Sequence, residues 1–344
     1  MISLFLAAAS FAGPQAASTP PAVHPRLALT MNVKEGGGPE EFMEEVRFQA
    51  RLGLTGSVAS FKWSEVEPPN AEKDLKKITD YVGLITLLGA ESAVTIQTID
   101  TNNKTIPSDL THGWDDPRVL ARWDSFLSTV TPLLGPRVKH LSLGNEVDGW
   151  LNAHPEEVKA YKVFLEKGRD AVKRIRPDLK VGVTVMAQSY FTNPAWTRDL
   201  TSGLDTHFVT YYAIGEDFRV KDPVSIARDL SVLSSFDSAR PMVVQEIGMP
   251  SSELLGGSEE KQAAFVRQFF KAFSGKGART PLAAWFMSTD FAPGMVKALE
   301  GYYKLELPAF AAYLGTLGLK NHKGEPRQSY RAFIEESKKW IPEP

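Results

Sequence analysis

Leu141-Ser-Leu-Gly-Asn-Glu146 and Met242-Val-Val-Gln-Glu246 decide how the rest of the chain reads, because each is an apolar run that stops abruptly at a glutamate. A run without polar alternation is the pattern of a strand buried on both faces, as in parallel sheets. A carboxylate at the C-terminal tip of such a strand sits where (β/α)8 barrels build their active sites. Two such tips suggest a catalytic pair.

Working outward from them, short β-type runs alternate with longer stretches of helical period, the signature of βα units. The strands are expected near Leu27–Asn32, Gly56–Phe61, Ala93–Thr98, Val138–Leu143, Val181–Val185, Phe208–Tyr212, Met242–Glu246 and Leu282–Phe286. Between them Leu75, Ile78, Val82 and Ile85 recur at helical spacing, as do Val158, Tyr161, Leu165, Val172 and Ile175. Pro39, the acidic Pro155-Glu156-Glu157 and Ser258 before Glu259-Glu260 mark helix starts. Eight strands with intervening helices fit an α/β fold, a single (β/α)8 TIM barrel over residues 26–344. A doubly wound sheet is the alternative, but the first strand's turn lacks a phosphate-type glycine fingerprint, and Gly36-Gly-Gly38 reads as a loop.

Composition narrows the function. The 344 residues are 43% hydrophobic and 23% charged, enough to bury a large core, and the formal net charge is -2 with interspersed signs. No basic stripe exists to follow a phosphate backbone, which argues against nucleic-acid binding. The chain has no cysteine, so disulfides, thiol nucleophiles and Cys-ligated zinc are excluded together. The six histidines are dispersed without His-x-His or His-Glu-x-x-His spacing, and no Gly-x-Ser-x-Gly elbow is present, so neither a metal site, a cofactor nor a serine hydrolase is expected. Residues 1–18 run apolar and then small, like a secretory signal without its basic start, and suggest a secreted or periplasmic protein, the alternatives being a disordered tail or a misassigned start. Residues 19–25 are a proline-rich leader, and no later apolar run has the roughly 20 residues of a membrane span.

A carboxyl pair on a barrel rim suits cleavage of a glycosidic bond. The leaving oxygen needs a proton, and the anomeric carbon, which gains oxocarbenium character, needs a nucleophile or an activated water. One residue cannot do both at once.

Gly144-Asn145-Glu146 ending the fourth strand and Gln245-Glu246 ending the seventh resemble the clan A glycoside hydrolases, retaining β-glycosidases on (β/α)8 barrels, over nearly the whole barrel. The resemblance implies Glu146 as acid/base, Asn145 as contact to the sugar 2-hydroxyl and Glu246 as nucleophile. Further similar pieces are Trp63-Ser-Glu-Val-Glu-Pro68, Tyr211-Tyr212, Trp285 and the closing Gly318-Leu…Lys323-Gly-Glu-Pro-Arg327. It further implies that Tyr212 holds the nucleophile ionised, with Tyr211 the fallback by strand alternation. Trp285 would stack on the sugar, and Trp63, Trp114 and Trp150 could extend the platform. One departure stands out: the arginine that many clan members carry on the second strand is absent from Ser57-Val-Ala-Ser-Phe-Lys-Trp63. Asp100-Thr-Asn-Asn103 reads first as an Asx-type turn and second as a substrate contact, and His207 near Asp205 reads as structural rather than as a dyad. The partner so implied is a β-linked polysaccharide or oligosaccharide, hydrolysed by double displacement. The alternative is a non-catalytic carbohydrate-binding barrel. The sugar, endo or exo attack and the oligomeric state are not written in the sequence.

Overall fold

The computed structural model describes residues 23–340; the signal-like residues 1–18 and all but the end of the 19–25 leader lie outside them, as do residues 341–344. Among the described residues, eight parallel strands follow in chain order: β1 (Arg26–Leu29), β2 (Gly56–Lys62), β3 (Glu91–Gln97), β4 (Val138–Ser142), β5 in two pieces (Lys180–Gly182 and Thr184–Met186), β6 (His207–Tyr212), β7 (Met242–Gly248) and β8 (Leu282–Trp285). Each lies within three residues of its expected position. The principal helices that follow these strands in turn are α1 (Pro39–Arg51), α2 (Lys76–Leu87), α3 (Pro117–Val130), α4 (Val158–Ile175), α5 (Pro194–Leu200), α6 (Pro223–Ser235), α7 (Glu259–Phe273) and α8 (Gln328–Trp340).

The break in β5 passes the ring from one ladder to the next. Strands β2, β3, β4 and the first piece of β5 form one, and the second piece, β6, β7, β8 and β1 the other. At the closing seam Gly56 lies against β1, where an added Cβ would stand 3.0 Å from the Leu27 carbonyl carbon. A side chain there would push the first two strands apart.

Strand alternation sorts the core into two layers. Ala28, Ala93, Phe208, Val243, Leu282 and Ala284 form a small cluster that plugs the barrel interior. Leu27, Val94, Leu141, Val181, Val209 and Val244 belong to the large cluster shared with the helices. Phe208 fits because Gly182 is bare: a Cβ would meet its ring at 2.7 Å. Ile78 and Ile85 of α2 and Tyr161, Leu165 and Val172 of α4 are buried as their spacing requires. Each such side chain removed from water is worth about 1.5–3 kcal/mol.

The barrel begins slightly earlier than the sequence suggests. His24 stacks on Trp340 with ring centres 5.4 Å apart, and the Val23 carbonyl accepts from Gly277 N–H at 2.7 Å. His207 points away from Asp205 and meets Asp237 at 3.0 Å, in a buried setting that pushes its pKa down to about 4. It is structural, and the Asp205 pairing does not form.

Candidate active site

At the end of β4 the chain turns sharply to present Glu146. Gly144 permits the approach, since a Cβ there would stand 2.5 Å from the Tyr161 hydroxyl. Asn145 N–H donates to the Ile99 carbonyl at 2.9 Å, and Thr101 N–H to the Asn145 carbonyl at 3.0 Å. Glu146 itself adopts φ 46°, ψ 46°, a left-handed conformation that costs a non-glycine residue on the order of 1 kcal/mol. Such conformations persist where neighbours hold them, commonly at functional sites. The result is a carboxyl aimed into the barrel mouth, its two oxygens accepting from the hydroxyls of Thr101 and Thr210 at 2.7 Å each.

Strand β7 supplies the second carboxyl through an irregularity. Its register against both β6 and β8 shifts just after Val244, a bulge that turns the consecutive residues Gln245 and Glu246 both inward. Gln245 Oε1 accepts from the hydroxyls of Thr95 on β3 and Thr184 on β5, each at 2.7 Å. That fixes its amide nitrogen toward Asn145 Oδ1 at 2.8 Å, with Glu246 Oε1 at 3.5 Å. Asn145 Nδ2 in turn donates to Asp100 Oδ1 at 3.1 Å. On the far side of Glu246 the Tyr212 hydroxyl donates to Oε2 at 2.5 Å.

Burial raises the pKa of both glutamates. The charge of Glu146 raises Glu246 further, while Tyr212 and Gln245 oppose the rise; for Glu146 the threonine hydroxyls oppose it and Asp100 adds to it. Two neighbouring acids drawn partly out of water resist ionising together. The phenols of Tyr212, Tyr303 and Tyr313 are raised by burial and by the glutamates, so all three stay protonated beside the carboxyls.

Glu146, Glu246, Asn145 and Tyr212 therefore converge as the sequence suggests, on a cavity of about 790 Å³. The other candidates separate from them. Tyr211 borders the cavity, but its hydroxyl reaches outward to Asp229 at 3.2 Å, because the residue after an inward Thr210 faces the helices; the bond to Glu246 is made by Tyr212. Trp285 fails for the same reason: following inward Ala284, it packs among Phe265, Phe269 and Phe333, fully buried. Phe286, one residue on, takes the place beside Tyr212 with ring centres 5.8 Å apart. Trp63 is also wholly buried, against Trp123, Phe126 and Phe164, and donates to Glu67. Trp114 and Trp150 both donate to Glu157, forming a cluster beside Lys104 instead of a sugar platform.

Some contributors were ranked second in the sequence reading or escaped it. Asp100-Thr-Asn-Asn103 does form a tight turn, but Asp100 and Thr101 also line the cavity. Thr210 and Gln245 are polar residues at inward positions of buried strands, a signal that could have marked them. Lys62 does not stand in for the missing arginine at the carboxyls; its ammonium lies 4.1 Å over the Tyr302 ring. Among the described residues no group of three His, Asp or Glu side chains is placed to hold a metal.

The cavity's cover comes from an insertion between β8 and α8, a pair of helices (Pro293–Tyr303 and Pro308–Leu314). Asn102 and Asn103 donate to the Tyr303 and Tyr302 carbonyls at 2.6 and 3.1 Å, and the Tyr302 hydroxyl donates to Asp100 at 2.9 Å. The cover is thus tied to the β3 loop.

A parallel eight-stranded ring with two half-buried glutamates at the tips of β4 and β7 defines the class: a (β/α)8 barrel with a rim carboxyl pair. No protein-family model and no curated protein matches the chain. Solved structures do. A GH5_18 protein from Bifidobacterium longum subsp. longum superposes with TM-score 0.70 at 17% identity, over 92% of this chain and 79% of that one. The exo-beta-1,4-mannosidase Op5Man5 from Opitutaceae bacterium strain TAV5 gives 0.71 at 17%, over 92% of this chain and 59% of that one. Xylanase 10B from Thermotoga maritima gives 0.63 at 14%, over 92% and 95%. What the chain shares with these three is the fold, over 92% of its length.

Proposed function

We propose that the chain is a β-glycosidase acting by double displacement, with Glu246 as nucleophile and Glu146 as general acid and then general base. The observation that carries this reading is the half-buried glutamate pair on β4 and β7, facing one cavity, with Tyr212 fastened to the second carboxyl. Tyr212 and the fixed Gln245 amide favour charge on Glu246. The threonine hydroxyls around Glu146 can accept as well as donate and so suit a protonated carboxyl, and a proton shared by the pair belongs on Glu146.

Glu246 attacks the anomeric carbon while Glu146 transfers its proton to the departing oxygen. The glycosyl ester that results has removed the Glu246 charge, so the Glu146 pKa falls and its carboxylate can take a proton from the attacking water. Collapse of the second transition state frees Glu246.

The test is a panel of β-glycosides followed by proton NMR from the first minutes. β-Mannosides lead the panel, because a Bifidobacterium GH5_18 variant with the same fold was solved with Manβ1-4GlcNAc. First release of the β-anomer, lost in Glu246→Gln, supports the mechanism; first release of the α-anomer refutes retention. Glu146→Gln should slow alkyl glycosides by about 10²–10⁴-fold and activated aryl glycosides much less, since a good leaving group needs no proton. Binding without turnover across the panel would instead favour a carbohydrate-binding barrel.

A further inference from the structure

The cavity is polar on its floor and apolar above it. Glu146, Glu246, Asn145, Asp100 and Gln97 meet at the strand tips, whereas Phe218, Phe291, Leu299, Leu305 and Phe310, with the phenols of Tyr303 and Tyr313 among them, make up a largely apolar wall. Those wall residues belong to one apolar cluster, separate from the barrel core, contributed largely by the cover helices. The cover's ties to Asn102, Asn103 and Asp100 hold this wall in place beside the carboxyls before any ligand arrives.

A sugar residue carries hydroxyls on nearly every carbon, and each one buried against such a wall without a partner is strongly disfavoured. The sugar whose bond is broken must reach Glu146 and Glu246, so it occupies the floor. What lies against the wall is then the group that leaves. At about 790 Å³ the cavity falls within the range of sites that take a small ligand. We propose that this leaving group is apolar, an alkyl or aryl aglycone, rather than a second sugar. The inference rests on the β-glycosidase reading above.

Methyl, butyl and hexyl β-glycosides of glucose, galactose, mannose and xylose test it, beside disaccharides of the same sugars. The simple alkanols differ little in acidity, so differences along the series report contacts to the chain rather than bond reactivity. For the sugar that is accepted, KM should fall about fourfold for each added methylene that is buried. Leu299→Ser and Leu305→Ser, both on partly exposed sites, should each lower the hexyl-to-methyl preference by about tenfold. A flat series overturns the proposal, as does a disaccharide turned over more efficiently than the hexyl glycoside. Calorimetry of the same series on Glu246→Gln separates the two readings. Affinity that climbs with chain length, in a protein whose wild type cleaves no glycoside, would refute hydrolysis while upholding the apolar subsite; no climb in either measurement refutes the subsite.

Discussion

Tyr212 and Glu246 are joined by the shortest contact in the site, and the direction of that bond has a measurable consequence. A phenol that donates stabilises the carboxylate, so its loss raises the Glu246 pKa. Tyr212→Phe should therefore move the acid limb of the kcat/KM profile to higher pH and lower its plateau roughly ten- to a hundredfold, the range for a hydrogen bond to a charged group. An unmoved limb would mean that Tyr212 only packs. Two residues beyond Glu146, Asp148 is buried and pushed up to about 7 by that burial, accepting from Met186 N–H at 3.0 Å and the Ser189 hydroxyl at 2.6 Å. Its folded pKa exceeds the unfolded one, so its contribution to stability is complete below about pH 4 and lost as pH rises through about 7. Asp148→Asn can keep both contacts, with its amide donating to Ser189. The variant should match wild type in melting temperature near pH 4 and exceed it at pH 8, by about 2–4 kcal/mol in stability. Equal pH dependence in the two proteins would exclude the assignment.

Strand alternation decides, element by element, which of two neighbours reaches the site. On β6 the alternation is regular, so Tyr212 enters and Tyr211 does not; on β8 the same rule buries Trp285 and admits Phe286. On β7 the bulge breaks the rule, and only because it does can Gln245 and Glu246 both face inward. Phe286→Ala should accordingly reduce kcat/KM tenfold or more with a small change in melting temperature. Trp285→Phe should do the reverse, keeping kcat/KM within about twofold while destabilising the fold by roughly 1–3 kcal/mol through the space it empties. The indole nitrogen of Trp285 has no partner among the described residues, so the substitution breaks no hydrogen bond and its cost is one of packing. Comparing unfolding and kinetics of the pair tests the assignment of both faces.

At the scale of the whole molecule the site exists because the ring closes, bringing β4 and β7 to opposite sides of one mouth. Closure is most exposed to mutation at Gly56, against the backbone of β1. Gly56→Val should destabilise the protein by roughly 1–3 kcal/mol, read as a lower denaturation midpoint, without touching a cavity residue. The eight strands, their order, the stripes on α2 and α4 and the positions of Glu146 and Glu246 were legible in the chain, because burial on both faces and helical period leave local patterns in residue type. Asn145 and Tyr212 were legible too, through motif and parity. The tryptophans were misplaced because an indole suits a sugar face and a helix–strand interface equally well, and only the side of the strand distinguishes them. Thr101, Thr210 and Gln245 act through partners 45 to 150 residues away, as their bonds to Glu146, Thr95 and Asn145 show. The sequence by itself thus determined the barrel and its carboxyl pair, which depend on periodicity and on residues at strand ends. The hydrogen bonds that surround that pair, the bulge that aims it and the apolar wall beside it were decided only by tertiary structure, since each depends on distances between segments that are remote along the chain.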